Sequence, residues 1–153
     1  MTTEKRLPTL ARLAAGLPLL AILACGGDST GPGGGNGGTT VPTNPTLSLD
    51  VQPIFTASCA LAGCHTGTAP QEGLDLSSGN TFGNTVGIPS AQLPSMQRIT
   101  PGDPAQSYLV HKLEGTQASV GGAGSRMPLG RAALSSTQIA TIRAWITSGT
   151  PNN

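Results

Sequence analysis

The chain has 153 residues, with eight basic and seven acidic side chains and a formal net charge of +1. Such a balance gives no electrostatic case for a nucleic-acid partner or for adhesion to an acidic membrane. Gly and Pro are frequent, and Phe55, Phe82, Tyr108 and Trp145 are the only aromatics, so a thick core is excluded as well.

Lys5, Arg6 and Arg12 make a basic start, followed by an apolar run from Leu13 to Ala24. A basic segment, a short apolar segment and small residues at its end are the layout of a secretory signal. A spanning helix needs about 20 apolar residues, more than this run holds. The ending Ile22-Leu23-Ala24-Cys25 resembles a bacterial lipobox. That resemblance implies lipidation of Cys25 after removal of residues 1–24, and lipid attachment anchors a protein to a membrane surface rather than through it. The expected location is therefore outside the cytoplasm, tethered to a bacterial membrane on its periplasmic or cell-surface side.

Residues 25–46 are almost entirely Gly, Pro, Thr, Ser and Asn after the cysteine. They have no apolar periodicity and cannot bury a core. They read as a flexible tether; about 20 Gly-rich residues reach roughly 25 Å. The folded domain is expected over residues 47–153, and its length suits one domain. It carries Arg98, Lys112, Arg126, Arg131 and Arg143 against Asp50, Glu72, Asp75, Asp103 and Glu114.

Within it, Ser48 to Phe55 reads as a short helix with Val51, Ile54 and Phe55 at helical spacing and Pro53 in its first turn. Residues 66–100 are punctuated by Gly, Ser and Pro and read as a long loop with one short helical turn. Pro104 to Leu113 reads as a second helix, capped by Asp103, with Tyr108, Leu109 and Leu113 on one face. Residues 115–131 again read as irregular. The last helix is the clearest: Ser135 to Gln138 forms a capping box. Ile139, Ile142 and Ile146 follow at helical spacing beside Trp145, and Gly149 and Pro151 end the helix. The expected fold class is all-α, three or more helices joined by long loops, with no sheet.

The first helix runs into Cys59-Ala60-Leu61-Ala62-Gly63-Cys64-His65. Two nearby thiols with a histidine directly after the second are the grammar of covalent haem attachment. Each thiol adds across one vinyl group, and the imidazole ligates iron. The usual spacing is C-x-x-C-H; here four residues separate the cysteines. With Cys25 lipidated, Cys59 and Cys64 remain as a pair, and an exported pair would otherwise oxidise. Two fates are open: one haem c, or a Cys59–Cys64 disulfide stapling a haem-free binding or structural module.

For haem, the second ligand is sought among Met127, Met96 and His111. Met127 leads, because Pro128 holds it in extended backbone and the flanking glycines allow close approach. Arg98 and Arg126 are candidate partners for haem propionates.

The segment from Leu49 to Pro151 resembles a bacterial exported mono-haem c-type cytochrome domain. The resemblance rests on five motifs in order: Val51-Gln52-Pro53-Ile54, Gly73-Leu74-Asp75-Leu76, Pro101-Gly102-Asp103-Pro104 with Ser107-Tyr108-Leu109, Arg126-Met127-Pro128, and Ile142-Arg143-Ala144-Trp145-Ile146. It implies a cytochrome c-like fold, thioether links at Cys59 and Cys64, and iron ligands His65 and Met127. His/Met ligation favours ferrous iron. With both axial positions filled, the expected role is electron transfer to redox partner proteins rather than enzyme catalysis; a haem enzyme with an open distal site is the remaining alternative.

Overall fold

A computed structural model describes Met1 and residues 40–153. The expected signal segment, the expected lipidation site Cys25 and most of the expected tether lie outside the described residues. Helical winding starts at Leu47, with Thr46 rather than Ser48 as its cap. The Thr46 hydroxyl accepts from the Leu49 amide at 3.2 Å, and the Asp50 carboxylate accepts from the Thr46 amide at 2.7 Å. The first turn, Leu47–Val51, is wound wide as a π-turn and runs straight into α1, Gln52–Ser58. Pro53 explains the widening: it offers no N–H, and its ring crowds the carbonyl one turn back. Val51 and Phe55 are buried on the inner face of this element.

The stretch read as a long loop holds α2, Thr81–Thr85, and a 3₁₀ turn at Gln71–Gly73. Gln52 fastens α2 to α1. Its buried amide donates to the Leu76 carbonyl at 2.9 Å and accepts from the Thr81 hydroxyl at 2.7 Å. Asp75 shapes the approach to α2 by accepting from the Ser77 amide, the Ser77 hydroxyl and the Asn80 amide group. Among the described residues, extended pairing is confined to isolated bridges, such as Val86 with Ile99 and Gln97 with Ser107.

The second expected helix begins later than its sequence suggests. Asp103 does cap, accepting from the Ala105 and Gln106 amides, but it caps a 3₁₀ turn, Pro104–Gln106. Ser107 then adopts extended backbone, and α3 covers Tyr108–Glu114. The break has a tertiary cause. The Ser107 hydroxyl accepts from the Thr100 amide at 2.9 Å, while the Tyr108 and Leu109 amides donate to the Gln97 and Arg98 carbonyls. Another 3₁₀ turn, Gln117–Val120, follows.

α4, Ser136–Thr147, starts with the expected capping box at Ser135 and Gln138. It packs on α3 and on the first turn. Ile142, Trp145 and Ile146 are fully buried, in one cluster with Val51, Phe55, Ile99 and Val110. Each such aliphatic or phenyl side chain contributes roughly 1.5–3 kcal/mol on burial. The Trp145 indole N–H donates to the Pro151 carbonyl at 3.0 Å, and the Ser48 amide donates to the Asn153 carbonyl at 2.9 Å. The end of the domain is thereby bonded to its beginning. The described residues are thus helical, in agreement with the all-α expectation, and no helix among them is long and apolar enough to cross a membrane.

Candidate functional site

α1 ends directly on the cysteine motif, with Cys59 as its C-terminal cap. The four intervening residues do not stretch the motif out. The Cys64 amide donates to the Leu61 carbonyl at 2.9 Å, and Gly63 has φ +77°. A left-handed third residue closed by that bond fits a type II turn, which favours glycine there. The His65 amide then donates to the Cys59 carbonyl at 3.2 Å. The extra length is taken up in an outward turn, and the histidine is brought back to the first cysteine.

Cys59 and Cys64 are free thiols, not joined to each other, and Cys59 is buried. Burial pushes the Cys59 thiol up to about 11, with the neighbouring Cys64 adding to the shift. His65 is half-buried, and burial lowers its pKa below the usual imidazole value. The backbone at Gln71 and Leu74 pulls weakly the other way. Its Nδ1 is buried without a hydrogen-bond partner.

Cys59, His65 and Met127 all line one cleft. Its inner lobe is walled by Phe55, Leu74, Leu76, Tyr108, Leu109 and Leu113. Its outer lobe, of about 580 Å³, also reaches Cys64 and Pro128. That volume lies within the roughly 300–1,000 Å³ of pockets that bury small organic ligands. Met127 reaches the cleft because its amide donates to the Lys112 carbonyl at 2.8 Å, laying its strand along the end of α3. The Met127–Pro128 peptide is cis.

The other candidate ligands fall elsewhere. His111 does not line the cleft, and both its ring nitrogens are engaged, Nδ1 with the Thr116 hydroxyl and Nε2 with the Ala105 carbonyl. Met96 sits in the turn closed by its amide bond to the Leu93 carbonyl and lines neither lobe. Of the two arginines, Arg126 is exposed and does not itself line the cleft, although its neighbours Ser125 and Met127 do. Arg98 lines the inner lobe, but its guanidinium already donates to the carbonyls of Gly73, Asn84 and Glu72. Tyr108 lines the cleft and donates its hydroxyl to the Ala123 carbonyl, whereas Trp145 belongs to the helix interface.

Sequence reasoning passed over Lys112, Glu72 and Gln92, which line both lobes. For Lys112 a signal was present. It lies four residues after Tyr108 and three after Leu109, so it shares their buried face. Burial pushes its ammonium below the usual lysine value, against the pull of Glu72. No cluster of three His, Cys, Asp or Glu side chains able to hold a bare metal ion occurs among the described residues. No protein-family model, no curated protein and no solved structure matches this chain.

Proposed function

We propose that the domain is a mono-haem c-type cytochrome that carries single electrons between redox partner proteins. In this reading it is exported and held to a bacterial membrane by lipid on Cys25 and the tether of residues 25–46. The observation that supports it best is the convergence of Cys59, His65 and Met127 on one apolar cleft, from segments more than sixty residues apart in the chain.

The donor set fits the group. His65 and Met127 would hold a haem iron, whose remaining positions a macrocycle fills, and Cys59 and Cys64 would attach that macrocycle. Bound there, haem iron supplies reversible one-electron chemistry. The protein's part is to hold and to exclude. Desolvation favours the neutral form of the His65 imidazole, the form whose ring nitrogen can donate to a metal. The Met127 thioether would be the second protein donor and favour the ferrous state. Phe55, Leu74, Leu76, Leu109 and Leu113 keep water from the ring faces, and a ligand bound only by the native state adds to its stability. With two protein donors on iron, substrate has no coordination site, so the reading is an electron carrier rather than an enzyme.

The test is to produce the chain in a host with c-type haem maturation. Intact mass should show one covalent haem, and dithionite should shift its visible bands. Met127→Ala should abolish the near-infrared sulfur-to-iron band and lower the potential. A mature protein whose mass lacks haem, with Cys59 bonded to Cys64, would overturn the proposal in favour of a disulfide-stapled module.

A further inference from the structure

Lys112 is 7 % exposed, yet it is a cation in the wall of an apolar cleft. Its ammonium donates to the Ala123 carbonyl at 3.2 Å and to nothing else among the described residues. An ammonium carries three donors, so the protein leaves two unused. No carboxylate among the described residues pairs with it; the one ion pair joins Arg143 and Glu114. The acid that faces the same cleft, Glu72, is held by the Gln92 amide at 3.2 Å. The stem is buried and the ammonium part-buried, and a cation drawn even partly from water without an ionic partner is costly, so such charges are ordinarily paired.

We propose that Lys112 is the anchor for a carboxylate of the cleft's ligand. This rests on the haem reading above, under which the carboxylate is a haem propionate. The assignment gives Lys112 the role that the sequence offered to Arg98 and Arg126: Arg98 already donates to three backbone carbonyls, and Arg126 does not line the cleft. Lys112 is suited to it by position, because it lines both lobes of the cleft. The unused donors point to a charge-assisted bond, stronger than one between neutral groups.

The experiment compares wild type, Lys112→Met and Lys112→Arg, each matured with haem carrying ¹³C-labelled carboxyl groups. Redox-difference infrared spectra read the propionate stretching bands directly. The expected result is a displaced propionate band and a lowered reduction potential in Lys112→Met, with both recovered in Lys112→Arg. Methionine keeps the apolar stem, so α3 packing survives, and circular dichroism checks this. Haem attached with carboxyl bands identical in all three proteins would overturn this assignment and leave the electron-carrier reading intact. A chain that takes no covalent haem at all overturns both.

Discussion

Gly63 is the residue on which the widened cysteine motif turns, and replacing it gives a clean measurement. Its φ is +77°, and a Cβ built there meets nothing within 4 Å. Gly63→Ala therefore adds no clash; its cost is conformational alone. Left-handed backbone costs an L-residue roughly 1–2 kcal/mol. Alanine recovers about 0.4–1 kcal/mol of that by restricting the unfolded chain. The net loss is about 1 kcal/mol, or roughly 4 °C in melting temperature for a domain of this size. Gly63→Asn should lose less, since asparagine tolerates the left-handed region. Thermal unfolding of the three proteins measures this, and intact mass reports whether the strained turn also lowers the fraction carrying haem on both thiols. An alanine variant that melts with wild type, or an asparagine variant as damaged as the alanine one, would refute the turn assigned to Leu61–Cys64.

Two further outcomes follow from groups outside the cleft. Gln52→Leu should destabilise the domain by about 0.5–1.5 kcal/mol in denaturant titration, because it removes the buried donor to the Leu76 carbonyl and the shortest of the Thr81 hydroxyl's bonds, leaving that hydroxyl the Leu76 and Ser77 carbonyls as acceptors; a neutral effect would show that this bridge does not hold α2. The Asp75 carboxyl lies below its ordinary value of 3.8 chiefly through the Ser77 hydroxyl and amide, so the folded state prefers it ionised. That contribution is complete above pH 3.8 and is lost as pH falls through the lower folded value. Asp75→Asn should accordingly melt below wild type at neutral pH and converge with it in acid, and a constant difference across that range would contradict the assigned contacts.

What could be read from sequence divides along a physical line. α4 was legible in full because its signals are local: a capping box, isoleucines at helical spacing and a terminal glycine. The helical character of the domain was legible for the same reason. The start of α3 was not, because residues 104–113 satisfy local helix rules while Ser107 is claimed by Thr100. The proline and glycine surroundings of Met127 favour it over Met96, and Met127 rather than Met96 lines the cleft. The difference is the Met127–Lys112 backbone bond, made between segments 15 residues apart. Lys112 illustrates the converse. Its helical register was plain, but a lysine on a buried face acquires meaning only when the cleft beside it is known.

Arg98 has a consequence for how the domain moves. Its side chain holds the carbonyls of Glu72, Gly73 and Asn84, its amide donates to the Ile88 carbonyl, and its own carbonyl receives the Leu109 amide. The loops on that side of the cleft have little regular structure with which to protect themselves. Fastened to a single residue, they should open together rather than one at a time, as a cooperative unit. Hydrogen exchange would then report one shared opening rate for the amides around these contacts. Under the electron-carrier proposal, a wall that opens only as one unit leaves little to rearrange when an electron arrives.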